Sequence, residues 1–247
     1  MVQNPVTQIE PGIASRLSKQ RYQLVGSHGG VKVCHWTKES LVNDRSCYKG
    51  TFYGIESHSC VQASPTVDQC NLGCVYCWRE PHAPQLTKVE DDPYELYLES
   101  VRGHRRLLTG YGGNPKADPE KFLEAQNPKH MAISLNGEPT LYSRLGEFLD
   151  ICHQHGTSTF LVTNGSLPKV IEKLDPLPTQ LYVSVDAPNK EIFDRICKPK
   201  FDKSAFHKLE QTLELLPSLD TRTVCRHTLI KGESLGFHED YARLDNL

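Results

Sequence analysis

Apolar positions along this chain follow two periods, one typical of buried strands and one typical of amphipathic helices. Strands are predicted at 130–135, 159–163, 181–185 and 223–230. Helices are predicted at 142–155, 168–174 and 203–216, and a further one begins at Asp92-Pro93 and runs to about Leu108. Strands that alternate with helices at this spacing predict parallel β/α units and an α/β fold.

The amino-terminal region has no comparable periodic stretch. The first thirty residues are polar and contain Gly26, Gly29 and Gly30, so we expect them to be loosely ordered. Val31–Cys34 is a short strand candidate. No apolar run approaches the roughly 18 residues that a membrane span needs, and the start of the chain lacks the pattern of a secretory signal.

Polar residues gather where the predicted strands end. They are Asn136-Gly137-Glu138, Thr163-Asn164 and Ser184-Val185-Asp186. Because the carboxyl ends of parallel strands line one face of such folds, these residues predict a shared active-site face. Taken singly, a turn or capping role is the more common one for Asn164, Ser184 and Asp186, and a helix-start role is the more common one for Glu138.

Composition limits the compartment and the partners. The formal net charge of −2 over 247 residues argues weakly against a generic nucleic-acid coat, although a local basic face is compatible with it. The nine cysteines are an odd number and no export signal accompanies them. We therefore expect a cytoplasmic protein without a membrane anchor, with reduced thiols that are available to metals.

Cys70, Cys74 and Cys77 form a C-x₃-C-x₂-C run, which is the most informative feature of the chain. Three thiolates at this spacing can hold three irons of a [4Fe-4S] cluster and leave the fourth iron open to another ligand. A structural zinc site usually takes four ligands, often as two separated pairs. Three free or zinc-bound cysteines remain the alternative interpretation.

Cys34, Cys47 and Cys60 form a second, wider triplet. Twelve residues separate each consecutive pair, so the three meet only if the chain between them folds back. The intervening segment contains glycines and aromatic residues that can wrap a cofactor. Three unrelated buried cysteines are an equally good interpretation from the spacing alone.

Several runs together resemble the radical-SAM enzymes of wyosine biosynthesis, the tRNA 4-demethylwyosine synthases. Besides the two cysteine triplets, five further runs carry the resemblance. They are Tyr48-Lys49-Gly50-Thr51-Phe52-Tyr53-Gly54-Ile55, Gly113-Asn114-Pro115-Lys116, Ser134-Leu135-Asn136-Gly137-Glu138-Pro139-Thr140, Phe160-Leu161-Val162-Thr163-Asn164-Gly165 and Val183-Ser184-Val185-Asp186-Ala187. The resemblance covers the chain from about residue 20 onward. It implies a radical-SAM partial (β/α)₆ barrel over 61–247, incomplete at the carboxyl terminus, preceded by a segment, 1–60, that carries ligands of an auxiliary cluster.

The resemblance also implies cofactors and their ligands. Cys70, Cys74 and Cys77 would bind the [4Fe-4S] cluster that takes S-adenosylmethionine (SAM), and Cys34, Cys47 and Cys60 would bind a second [4Fe-4S] cluster. Glu138 would accept hydrogen bonds from the SAM amino group, since a carboxylate suits a positive amine. Asn164, Ser184 and Asp186 would contact its ribose and carboxylate.

The implied lyase reaction joins two carbons of pyruvate to N1-methylguanosine beside the anticodon of tRNA-Phe, with loss of the pyruvate carboxyl carbon, and gives 4-demethylwyosine. Pyruvate would be held by the auxiliary cluster or by a lysine, with Lys49 the first candidate and Lys116 the second. A solvated surface charge is the common role of any single lysine. No flavodoxin-like domain is present, so the resemblance implies an archaeal-type form, expected to be a monomer, with a separate flavodoxin- or ferredoxin-type electron donor.

Two further expectations concern tRNA. Arg102, His104, Arg105 and Arg106 form a basic cluster that would contact phosphates, or else a solvated helix face. Trp36 and Trp78 are candidates for stacking on a base, with Trp78 the better placed. Competing hypotheses are another radical-SAM enzyme with an auxiliary cluster, a non-catalytic iron–sulfur or zinc protein that binds RNA, and an inactive fragment.

Overall fold

One sheet runs through the computed structural model, which describes residues 7–79, 83–234, 238–245 and 247. Its strands, in chain order, are β1 (Gln23–Val25), β2 (Gly29–Lys32), β3 (Cys60–Ser64), β4 (His130–Ile133), β5 (Ser158–Thr163), β6 (Gln180–Ser184) and β7 (Arg222–Arg226). Each strand pairs with the next, antiparallel from β1 to β3 and parallel from β3 to β7. The consecutive parallel strands confirm the predicted α/β fold of the partial-barrel type.

Eight of the described helices lie between strands, while one precedes the first strand and one follows the last. They are α1 (Pro11–Lys19), α2 (His35–Asn43), α3 (Tyr48–Tyr53), α4 (Pro93–Leu108), α5 (Pro119–Ala125), α6 (Leu145–Gln154), α7 (Pro168–Glu172), α8 (Lys190–Ile196), α9 (Ala205–Leu215) and α10 (His238–Asp245). The predicted start of α4 is confirmed, because Asp92 accepts hydrogen bonds from the amides of Tyr94 and Glu95 and Pro93 is the first helical residue. None of the described helices is long and apolar enough to cross a membrane.

The amino-terminal region is more ordered than its composition predicts, so the expectation of a loosely ordered first thirty residues is wrong from residue 7 onward. Helix α1 buries Ile13 and Leu17, and strands β1 and β2 add a hairpin to the edge of the sheet. The helix was missed because its two buried residues are a single turn apart in an otherwise polar stretch. Burial of both against Tyr22 and Val67 stabilises it.

The strand register sets which residues share the face of the sheet that borders the cysteine cavities. Gln62 pairs with Ala132, which pairs with Phe160, and these positions have the same side-chain orientation because the period of a strand is two. On the neighbouring strands, Ser184 pairs with Arg226. The opposite face packs against the helices in one apolar core that includes Leu149, Leu161 and Leu209.

Candidate active site

The loop that carries Cys70, Cys74 and Cys77 is fastened to the segment after α8. The Gly73 amide donates to the carbonyls of Cys197 and Lys198, both at 3.0 Å. The Val75 amide donates to the Ile196 carbonyl at 2.8 Å, and the Lys200 amide donates to Asn71 at 3.0 Å. These backbone bonds fix the cysteine loop over the carboxyl ends of the strands.

A cavity of about 300 Å³ lies beneath this loop. Seven of the predicted site residues line it: Cys70, Cys74, Cys77, Glu138, Asn164, Ser184 and Asp186. The expectation that polar residues at three strand ends share one face therefore holds for the geometry. The cavity is also lined by residues that the sequence-based interpretation did not assign: Tyr76, Arg79, Ser134, Cys197, Arg226 and Thr228.

Glu138 is a buried carboxylate held in one orientation. Its Oε1 accepts from the Thr140 amide (3.1 Å), the Thr140 hydroxyl (2.6 Å) and the Thr163 hydroxyl (2.7 Å). Its Oε2 accepts from the Asn164 amide at 2.8 Å. Burial raises the pKa of this carboxyl, and the four donated hydrogen bonds act in the opposite direction by stabilising the charged form. Oε2 keeps acceptor capacity for a cationic ligand.

Asp186 and Asn164 both form hydrogen bonds with other residues of the protein. Asp186 accepts from the Tyr76 hydroxyl (2.7 Å) and from the Thr228 amide (2.7 Å). The Asn164 side chain donates to Asn71 Oδ1 at 2.8 Å and accepts from Ser166. Both therefore shape the cavity wall in addition to facing it, which agrees in part with the capping alternative.

Cys197 belongs both to the apolar core and to the cavity wall. The side chain is buried, but it lines the cavity beside Cys74, with its thiol in hydrogen-bond contact with the Cys74 thiol and 3.8 Å from the Tyr76 hydroxyl. Its position in an apolar helix pattern gave no signal of this contact. Cys152, in contrast, lies in the core and lines neither cysteine cavity.

A second cavity, of about 200 Å³, is lined by the other triplet, Cys34, Cys47 and Cys60. Helices α2 and α3 bring the three together: Cys34 and Cys47 are the residues immediately before the two helices, and Cys60 begins β3. The twelve-residue spacings are therefore folded back by two short helices. Sequence reasoning raised this possibility but did not predict either helix.

Lys49 enters the second cavity from the first turn of α3. Its side chain is 9% exposed, and its Nζ lies 4.3 Å from the ring centre of Phe160 and 5.1 Å from that of Tyr182. Burial lowers the pKa of Lys49, while the negative charges available to Cys60, Cys47 and Cys34 act to raise it. An amine among thiols and aromatic rings, with no carboxylate partner among the described residues, is chemically available to a substrate.

Lys116 is placed differently. It is exposed and lines an open groove together with Asp44 and Asp118, and it borders neither cysteine cavity. Of the two candidate lysines, Lys49 is the one that borders a cysteine cavity.

The two cavities adjoin each other. Arg79, Ser134, Val162 and Arg226 line both of them, so a molecule bound in one can reach a molecule bound in the other. Trp78 stands at the mouth, 77% exposed, with the Arg79 guanidinium 4.1 Å from its ring centre. This places an aromatic surface next to the cavity of the Cys70, Cys74 and Cys77 triplet.

The predicted basic cluster on α4 is not one surface. His104 is completely buried, and Arg105 donates to the Gln126 carbonyl and to Asn127. The expectation that these side chains act together on phosphates is wrong for His104, because the helix turns it towards the core.

The thiols suit metal clusters. None of the nine cysteines is in a disulfide, and each triplet surrounds a single cavity. Burial raises the pKa of Cys60 and of Cys70 to about 12, so both thiols stay protonated until a metal displaces the proton. Three thiols of one triplet around one cavity fit an iron–sulfur cluster with one open iron.

Comparison with known proteins agrees with this geometry. Residues 64–244 match the family model of the Radical SAM superfamily. An S-adenosyl-L-methionine-dependent tRNA 4-demethylwyosine synthase from Pyrococcus abyssi is 45% identical over 238 residues, which are 94% of this chain and 69% of that protein. A solved structure of TYW1 with a lysine-pyruvate adduct bound superposes with a TM-score of 0.87 at 42% identity and covers 96% of this chain and 78% of that one. For a crystal structure of archaeal TYW1, the TM-score is 0.79 at 39% identity, with 96% and 80% covered.

Fold, cysteine loop and family match together define a radical SAM protein, a class that implies a [4Fe-4S] cluster and SAM. The sequence identity to the curated relatives, and the share of their length that is covered, then identify the family within this class. The chain belongs to the tRNA 4-demethylwyosine synthase family.

Proposed function

We propose that this chain is a SAM-dependent radical enzyme that condenses N1-methylguanosine of tRNA-Phe with pyruvate to form 4-demethylwyosine, a lyase reaction. The observation that carries the proposal is a buried lysine amine beside one cysteine triplet, in a cavity that adjoins the cavity of the other triplet. The names of the relatives support the product and the tRNA substrate.

Cys70, Cys74 and Cys77 would hold the SAM cluster, which when bound supplies the electron that cleaves SAM to a 5′-deoxyadenosyl radical. Glu138 binds the amino group of the SAM methionine through Oε2, since its other oxygen is already occupied by three donors. Asp186, Asn164 and Ser184 line the remaining wall, on the side where the ribose and carboxylate bind. The rigid hydrogen-bonding around Glu138 and Asp186 positions SAM before the reaction.

Cys34, Cys47 and Cys60 would hold the auxiliary [4Fe-4S] cluster, and Lys49 holds pyruvate beside it. The Lys49 amine attacks the ketone carbon of pyruvate, and loss of water leaves an imine that fixes the methyl and carboxylate carbons of pyruvate in place. A solved relative with a lysine-pyruvate adduct supports a lysine in this role. Arg226, which lines both cavities, supplies a cation for the pyruvate carboxylate.

The shared walls of the two cavities account for the coupling of the two substrates. The methyl group of the guanosine must reach both the SAM-side cavity and the carbon held by Lys49, and the border lined by Arg79, Ser134, Val162 and Arg226 adjoins both. Trp78 offers a ring on which the guanine can stack as it enters.

Further parts of the proposal concern context. The 1–60 segment would serve to carry the auxiliary cluster, and the barrel to carry SAM. A flavodoxin- or ferredoxin-type protein would deliver electrons to a monomeric enzyme in the cytoplasm.

Borohydride trapping tests the role of Lys49. We expect reduction in the presence of pyruvate to leave a stable adduct on Lys49 in the anaerobically reconstituted protein, located by peptide mass spectrometry. Lys49→Arg should keep the charge but lose both the adduct and the product. Lys116→Arg is the matched control and should lose neither. An adduct on Lys116, or product formation by Lys49→Arg, would refute the assignment.

Iron counting tests the clusters. About eight irons per chain are expected after anaerobic reconstitution, falling to about four when Cys34, Cys47 and Cys60 are all replaced by Ala. Equal iron in both proteins would make the wide triplet structural, and zinc in place of iron would overturn the enzyme assignment. Cys74→Ala should abolish 4-demethylwyosine formation.

A further inference from the structure

A third cavity, of about 340 Å³, lies outside both cysteine sites and is ringed by cations. Lys19 comes from the end of α1, Arg21 from the turn after it, Lys32 from the end of β2, and Lys38 from α2. We name this the cationic cavity. Among the described residues, no carboxylate forms an ion pair with any of the four.

The positively charged side chains of this cavity repel one another. Lys19, Arg21, Lys32 and Lys38 line one cavity, and the Lys32 side chain is partly buried there. Protein surfaces usually relieve such repulsion with interspersed acidic side chains, and the net charge of −2 shows that the chain is not short of them. Positive charges grouped without a partner are the electrostatic footprint of a polyanionic ligand.

The cationic cavity is linked to the mouth of the active site through Tyr22. The Lys32 amine lies 4.7 Å from the centre of the Tyr22 ring, and Arg79 Nη1 donates to the Tyr22 hydroxyl at 3.1 Å. Arg79 in turn lines both cysteine cavities and stacks on Trp78. Cations thus extend from the cationic cavity to the place where a base would enter.

We propose that the cationic cavity binds backbone phosphates of the tRNA strand next to the reacting nucleotide. This inference rests on the proposed function, because it takes the polyanion to be the RNA substrate. RNA is favoured over an acidic protein partner because the cations lead to Arg79 and to the exposed Trp78 ring, which suit a phosphate and an adjoining base. Backbone contacts of this kind position the strand and carry no sequence preference.

The test compares two triple variants that each remove three positive charges. The first is Lys19→Gln/Arg21→Gln/Lys38→Gln, which spares Lys32 because its stem packs on Tyr22. The control is Lys169→Gln/Lys173→Gln/Lys203→Gln, three exposed lysines that line none of the three cavities. Iron content and urea unfolding of both variants are matched to the parent before binding is measured.

The measurement is the dissociation constant for tRNA-Phe carrying N1-methylguanosine, at a series of KCl concentrations. The slope of log affinity against log salt should fall by about 2 to 3 in the cationic-cavity variant, since each phosphate contact contributes about 0.7 to 0.9. Affinity at 0.1 M KCl should fall at least about tenfold. The control variant should keep the slope and the affinity of the parent.

Other outcomes overturn the inference. Unchanged slopes in the cationic-cavity variant, with tight binding by the parent, would refute it and leave the proposed function intact. Displacement of tRNA by inorganic phosphate at constant ionic strength would show a site for a small free anion. Normal tRNA binding with slowed reduction by a flavodoxin would reassign the surface to an acidic electron donor. A parent protein that binds no tRNA would overturn the proposed function and this inference together.

Discussion

Replacement of Gly137 should be costly for two reasons, its positive φ and the close contact of its Cα with neighbouring backbone. Gly137 has φ = +84°, and a Cβ built on it would lie 1.7 Å from the Thr66 carbonyl oxygen and 2.7 Å from the Gln69 carbonyl oxygen. Both atoms belong to the backbone that leads into Cys70, so neither can swing aside as a side-chain end can. Gly137→Ala therefore requires this backbone or Glu138 to move.

Gly156 supplies the matched control. It also has a positive φ, +68°, but a Cβ there would meet nothing within 4 Å. Gly156→Ala should cost only the left-handed conformation, about 1 kcal/mol. Gly137→Ala adds overpacking against fixed backbone, for a total of about 2 to 5 kcal/mol.

Urea unfolding of the parent and both variants measures the difference, with SAM binding to the reconstituted proteins as a second measurement. The Gly137 variant should lose SAM affinity as well as stability, because the Glu138 amide donates to the Gln69 carbonyl at 2.8 Å and would be displaced with it. The Gly156 variant should bind SAM as the parent does. Equal losses of stability in the two variants would refute the reasoning.

Two further predictions concern the fold. Burial lowers the pKa of His104 to about 4 in the folded chain, against about 6.5 in the unfolded chain. Because protons then bind preferentially to the unfolded state, the free energy of unfolding should fall by about 3 kcal/mol as the pH drops from 6.5 to 4. Urea unfolding across this range should show that loss in the parent but not in His104→Leu; parallel curves would contradict it. Phe148→Ala removes a fully buried ring that meets Tyr142 edge to face, and should cost about 3 to 5 kcal/mol, whereas Leu123→Ala at a 66% exposed position should change the free energy of unfolding by less than about 0.5 kcal/mol. Similar losses in the two variants would show that Phe148 is not a core residue.

Local sequence signals were enough to predict the repeating part of the fold. The Asp92-Pro93 start of α4 is confirmed because capping and proline chemistry act within a few residues. Strand β5 begins one residue before its predicted start and ends where predicted, and β7 ends four residues earlier than the apolar run indicates. Apolar residues past Arg226 extend the pattern, but a strand ends where its pairing partner ends, which the sequence does not reveal.

The helices around the wide cysteine triplet show why other parts were missed. Helix α2 has little amphipathic character, and α3 has only six residues, so neither produces a periodic signal. Their positions depend on contacts made far away in sequence: the Thr37 hydroxyl donates to the Cys60 carbonyl, and the Cys47 amide donates to the Ser57 hydroxyl. The same holds for Cys197, whose contact with Cys74 spans more than a hundred residues of chain.

The two cysteine triplets differ in how the fold brings them together, and this bears on how each would assemble a cluster. Cys70, Cys74 and Cys77 lie in one short loop, so their thiols are near each other before the barrel is complete. Cys34, Cys47 and Cys60 meet only after α2, α3 and β3 have docked. The unfolded chain therefore does not contain this site, and metal binding to it favours the folded state. Binding of the auxiliary cluster should therefore stabilise the amino-terminal segment more than binding of the SAM cluster stabilises its loop. The Lys49 amine depends on the same docking, because it reaches Phe160 and Tyr182 only from α3. Convergence of the wide cysteine triplet and placement of the Lys49 amine are thus one structural event.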